Sequence, residues 1–213
     1  MVHATKSQLE EIAMGLKDSG QFFLWVLRPD IVSSTVSDCL PDGFLDEIER
    51  QGLVVPWCNQ LQVLSHPSVA GFITHCGWNS MLESISRGVP MIGFPFWADQ
   101  FTNCKLMADE WKIGYSLNGG GHAGDNRLIV RENISNAIKK LFSDEGTEVK
   151  KNIKALRDCA RTAVRDGGCS DKNMDSFVEG LKGKCMSEYL KDRDSEPDQS
   201  VLSKVEKCKR ETS

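Results

Sequence analysis

Five short apolar runs, separated by stretches with helical spacing, limit what this chain can fold into more than any other feature. Strands and helices in strict alternation bury themselves most simply as a parallel sheet with helices on its faces. The runs are Phe22 to Leu27, Gly52 to Trp57, Val69 to Thr74, Pro90 to Phe94 and a weaker Ile113 to Leu117. They are nearly continuous in apolar residues, as in strands covered on both sides. Leu9, Ile12, Ala13 and Leu16 recur at helical spacing up to Gly20. So do Leu82 and Ile85, the stretch from Phe101 to Trp111, the set Ile134, Ile138 and Leu141, and the set Val149, Ile153, Leu156 and Ala160. Ser7 with Glu10 predicts a capping box at the first helix. The expected class is α/β, a parallel sheet flanked by helices through right-handed crossovers.

The two ends depart from that pattern. A parallel α/β domain normally opens on a strand, whereas here a helix comes within a few residues of Met1, so the first strand is expected to be missing. From about residue 184 the chain becomes rich in charge of both signs, with little apolar periodicity, which predicts a disordered tail over 184–213 after a domain at 1–183.

Composition removes whole classes of function. Lys and Arg number 26 against 30 Asp and Glu, so no basic excess exists for a nucleic-acid backbone. The apolar runs are far too short for a membrane span, and the residues after Met1 do not read as a signal peptide. Eight cysteines occur without a CxxC pair, which argues against a zinc site or a stapled secreted scaffold and for reduced thiols in the cytoplasm.

The chemistry is concentrated where the third run ends, at His75-Cys76-Gly77-Trp78-Asn79-Ser80. In open α/β sheets a ligand lies beyond the carboxyl ends of the strands, where helix N-termini converge. Gly77 allows a close backbone turn, Asn79 and Ser80 suit a helix start, and the free amides there make an anion site, most often for phosphate. His75 would add positive charge near neutral pH. Glu83 lies one helical turn further on the same face, where a carboxylate can hold a vicinal diol such as a ribose. Phosphate and diol together suggest a nucleotide. Taken singly, each residue also has a plain reading: His75 as a packed histidine, Glu83 as a solvated helix residue, Gly88-Val89-Pro90 as loop punctuation.

Over a longer span the chain resembles the plant UDP-dependent glycosyltransferases of small molecules, through their signature box. The resemblance is carried by Trp57, Gln60, Val63-Leu64, His66, Phe72, His75 to Ser80, Glu83, Gly88-Val89-Pro90, Pro95 and Asp99-Gln100. It extends to Leu40–Ile48 and from Phe101 to about Phe177. Asn59 departs from it, since the family usually has Pro there, which puts in question the backbone edge that Cys58 offers. The resemblance implies the C-terminal, Rossmann-like half of a GT-B fold and the inverting transfer of a hexose, glucose by the family's tendency with Gln100, from a UDP-sugar to a hydroxyl of a small-molecule acceptor.

By the same resemblance, Trp57 stacks on uracil, the Cys58 backbone meets its edge, Gln60 and Glu83 take the ribose, His75, Asn79 and Ser80 hold the diphosphate, and Trp78, Asp99 and Gln100 meet the sugar. Asp99 and Gln100 also read as capping residues of the helix that follows. No metal is expected, because helix amides and His75 can stabilise the departing UDP, and the Asp192 and Asp194 pair reads as solvated charge. The catalytic His and its Asp partner belong to the family's N-terminal acceptor domain, so no catalytic residue is expected in this chain. His3, His66 and His122 are poor substitutes. The alternative is a non-catalytic UDP-sugar-binding or interaction module; a sugar-nucleotide epimerase is a more distant one.

Overall fold

The computed structural model describes residues 5–28, 39–117 and 128–194, with side chains described through residue 183. His3 and His122 lie outside these residues. Residues 1–160 and 161–213 form two compact units.

The first unit alternates strand and helix as expected. Helix α1, Lys6–Asp18, leads to β1, Phe23–Val26, then α2, Phe44–Glu47, and β2, Gly52–Val55. Helix α3, Gln60–Leu64, precedes β3, Phe72–Thr74; α4, Trp78–Arg87, precedes β4, Met91–Gly93. Helix α5, Gln100–Lys105, continues as a π-helical turn over Leu106–Glu110 before β5, Gly114–Ser116. Then come α6, Arg131–Phe142, and α7, Gly146–Val164. All five apolar runs contain a strand, each shorter than the run itself. Of the flanking apolar residues, Leu27, Phe94 and Leu117 are buried just beyond the strand ends, whereas Phe22 and Trp57 are exposed.

All strand pairs are parallel, but the ladder is interrupted. β1 pairs with β2, and β3, β4 and β5 pair in that order, so the described strands form two hydrogen-bonded groups rather than one sheet. Both groups pack on one apolar cluster built around Leu16, Ile92, Phe94 and Leu141, touched by Phe23 and Trp25 of β1 and by Ile73 of β3.

Helix α1 starts two residues earlier than its sequence predicts. Thr5 is the N-cap and accepts from the Gln8 N–H at 3.2 Å, so Ser7 lies within the first turn. Gln8 stands where a capping box would place its return partner. Its side chain goes elsewhere, donating to the Ile129 carbonyl and accepting from the Ile129 N–H, both at 2.9 Å. Glu11 accepts from both the backbone and the guanidinium of Arg131, which ties α1 to the start of α6. Those bonds hold the Glu11 carboxyl below the usual carboxylate range, the Arg131 side chain contributing most. Helix α1 also buries Leu9 and Ala13 in one apolar cluster and Leu16 in another, with Ile134 and Ile138 of α6; a fully buried leucine is worth about 1.5–3 kcal/mol.

In the second unit, α8 runs over Cys169–Asp194. The backbone over 184–194 is therefore helical and not the start of an unstructured tail. That stretch holds no Gly or Pro, and its Lys, Met, Glu, Leu and Arg are strong helix formers, so local propensity prevails despite the absence of an apolar stripe. Asp192 and Asp194 lie in its last turn. Residues 195–213 lie outside the described residues. Among the described residues no helix is long and apolar enough to cross a membrane.

Candidate functional site

The site grows from the turn between β3 and α4. Cys76, fully buried, adopts a left-handed φ of 63°, which a non-glycine residue holds only when its surroundings impose it. Both ends of the residue are fastened: its N–H donates to Thr74 Oγ1 at 3.3 Å, and its carbonyl accepts from Asn103 Nδ2 at 3.1 Å. The turn lays the His75 ring against the backbone of Gly77, where an added Cβ would collide with the imidazole Nε2. Gly77 leaves room for that ring, and its φ of −62° is one any residue adopts.

Gly77 is also the N-cap of α4 and, having no side chain, leaves the first amides of the helix uncapped. The first bond of the helix runs from the Met81 N–H to the Gly77 carbonyl at 3.1 Å, so the amides of Trp78, Asn79 and Ser80 precede the helical ladder. They form the positive end of a ten-residue helix. At the far end Gly88, with φ of 73°, closes α4 by donating to the Ile85 carbonyl, a turn that turns the chain into β4.

Burial pushes the His75 pKa below the ordinary histidine value, and the neighbouring Asp99 carboxylate opposes that shift. Near neutral pH the imidazole is mostly uncharged, which corrects the expectation of a standing positive charge. It is a hydrogen-bonding group to which an approaching anion would draw a proton.

Two helices meet beside this terminus. Gln60, the first residue of α3, donates through Nε2 to Ser80 Oγ at 3.1 Å and to Glu83 Oε2 at 2.8 Å. Asn59 is the N-cap of α3 and accepts from the Gln62 N–H at 3.1 Å. Its φ of −75° is one that proline also adopts, so the exchange of the family's Pro for Asn leaves the entry into α3 intact and adds a side-chain cap. Between β2 and α3, Trp57 is 70% exposed and Cys58 is half-buried.

A third group lies in the loop that enters α5. Gln100 accepts through Oε1 from the Phe96 N–H at 2.9 Å and the Trp97 N–H at 3.1 Å, so its carbonyl end shapes the loop. Asp99 Oδ2 accepts from Asn103 Nδ2 at 2.8 Å. The Trp78 indole packs against Trp111, ring centroids 6.3 Å apart, and stays 44% exposed. His66 is used locally, its Nδ1 accepting from the Ser68 N–H. Hydrogen bonds thus join Gln60, Ser80 and Glu83, and His75 lies near Asp99. Two residues that the motif reading passed over, Thr74 and Asn103, hold the turn together. Nothing local in α5, Gln-Phe-Thr-Asn-Cys-Lys, marks Asn103 out in the sequence.

Known proteins match this chain in sequence and in fold. The profile of the family described as UDP-glucoronosyl and UDP-glucosyl transferase matches residues 1–161. A Mogroside I-E synthase of Siraitia grosvenorii is 43% identical over 183 residues, and UDP-glycosyltransferase 74E1 of Arabidopsis thaliana is 45% identical over 179. The alignments cover 85% and 84% of this chain but 38% of each relative, so the chain spans less than two fifths of their length. Among solved structures, Os79 from O. sativa in complex with UDP superposes with a TM-score of 0.75 at 33% identity, covering 84% of this chain and 38% of the other. Medicago truncatula UGT71G1 complexed with UDP-glucose gives 0.76 at 34%, with coverage of 84% and 38%.

Proposed function

Because this chain belongs to the UDP-glucoronosyl and UDP-glucosyl transferase family, we propose that residues 1–183 are the donor-binding part of an enzyme that transfers a hexose from a UDP-sugar to a hydroxyl of a small molecule. The observation that carries the proposal is the bond set from Gln60 to Ser80 and Glu83, which joins α3 and α4 beside the free amides of the α4 N-terminus. A carboxylate next to helix amides suits a ribose joined to a diphosphate.

In this reading uracil lies on the exposed Trp57 with the Cys58 backbone at its edge, and the ribose is held by Gln60 and Glu83. The diphosphate meets His75, Asn79, Ser80 and the amides at residues 78–80. Asp99 and Gln100 face the hexose, which we take to be glucose. Negative charge gathers on the diphosphate as UDP departs, and fixed N–H donors stabilise it without reorganising. The reading needs no metal; UDP affinity is expected to be the same with and without a chelator. The general base and the acceptor pocket belong to a domain like the one these relatives carry beyond the aligned region. A cytoplasmic location suits the free cysteines described.

Titration calorimetry of the chain with UDP and UDP-glucose tests the proposal, alongside a double variant carrying Trp57→Ala and Glu83→Ala. Saturable binding by the parent chain and none by the variant is the expected result. A folded parent chain that binds neither ligand would rule the reading out. Binding without any hexose transfer, once the chain is tested within a full two-domain protein, would favour the non-catalytic module.

A further inference from the structure

We infer that Asn103 is a positioning residue for the donor, holding the diphosphate turn and the hexose-facing loop in fixed relation. The inference rests on the donor-site reading above. Asn103 is 8% exposed and its amide group has two protons to donate. One goes to the carbonyl of Cys76 and the other to Oδ2 of Asp99, at 3.1 and 2.8 Å. The two acceptors lie on separate loops. Cys76 stands between His75 and the first amides of α4, in a left-handed conformation that needs support. Asp99 closes the loop before α5 and is the carboxylate whose charge His75 senses.

One buried amide therefore decides both how the turn is pinned and where Asp99 is held relative to His75. Aspartate at 103 would present an acceptor to two acceptors, and alanine would leave the Cys76 carbonyl without that donor. A buried acceptor that loses its partner costs enough for a shift of about tenfold in an equilibrium. The loss should fall more heavily on UDP-glucose than on UDP, since UDP lacks the group that faces Asp99.

The test is calorimetry of UDP and UDP-glucose on the parent chain, Asn103→Ala, Asp99→Ala and the double variant, with the folded state of each followed by circular dichroism. For Asn103→Ala, UDP-glucose affinity is expected to fall about tenfold and UDP affinity clearly less. Asp99→Ala should lose UDP-glucose affinity while keeping UDP affinity. In the double variant, removal of Asp99 should add little to the loss of UDP-glucose affinity already caused by Asn103→Ala. The pH dependence of UDP binding should also shift in Asn103→Ala, because Asp99 no longer keeps its place near His75.

If folded Asn103→Ala keeps the parent's ratio of UDP-glucose to UDP affinity and its pH profile, Asn103 is only a structural residue and the inference fails. If Asn103→Ala does not fold, the exposed Asp99→Ala decides: an unchanged ratio there overturns the inference. A parent chain that binds neither ligand overturns the donor-site reading as well, so the two failures are told apart.

Discussion

In the proposed donor site, the corner assigned to the ribose and the corner assigned to the base are built on different plans. At the ribose corner Gln60, Ser80 and Glu83 are already joined to one another, and the His75 turn behind them is fastened through Thr74 and Asn103. At the base corner Trp57 is largely exposed. A preformed corner holds its ligand at little further cost in ordering, but a change there disturbs the protein as well as the ligand. An exposed platform adds to binding alone. The difference predicts which substitutions move stability together with affinity and which move affinity only.

The largest effect is expected at Gly77. Alanine there displaces the His75 ring, and loss of its bond to a charged diphosphate is expected to cost up to about a hundredfold in affinity for UDP. Unaltered UDP binding by Gly77→Ala would break the contrast at its firmest point. Next comes Trp57→Ala, which should lose about 1–3 kcal/mol of stacking on uracil. Its melting temperature should stay at the parent value, since the ring is mostly in solvent. Glu83→Gln should weaken UDP by about tenfold, through loss of a charge-assisted bond. Unlike Trp57→Ala, it should also lower the melting temperature, because Gln60 loses its carboxylate partner.

A smaller effect concerns protons. The folded-state pKa of His75 lies below its value in the unfolded chain, so the unfolded chain binds more protons as pH drops. The stability tied to this group is present above the ordinary histidine value of 6.5 and is lost as pH falls from there through the lowered one. Diphosphate binding should reverse the shift, so UDP should take up a fraction of a proton near pH 6.5, read as a dependence of calorimetric heat on the buffer. His75→Asn should abolish that uptake.

Much of this was legible before the fold was known, for definite reasons. The strand positions followed from apolar runs such as Phe22 to Leu27, although that run is not covered on both sides as its composition predicted: Leu24 and its β2 partner Leu53 are exposed. The box from Trp57 to Gln100 marked the family, because it sets many residue types at fixed spacing. What escaped was non-local or had no periodic mark. Thr5 caps α1 in place of Ser7, and Gln8 leaves the cap for Ile129, far away in the chain. Asn103 lies just beyond the box, and its role shows only once Cys76 and Asp99 are brought near it. The helix over 184–194 was hidden because its charges mask a propensity that carries no apolar stripe.

The most direct test of the central claim is a tryptophan-fluorescence titration with UDP. Stacking of uracil on Trp57 should give a saturable quench that disappears in Trp57→Ala and persists in Trp97→Ala, whose ring is also exposed. A folded chain that shows no quench, or one that Trp57→Ala retains in full, would contradict the assignment of Trp57 as the base platform of a donor site.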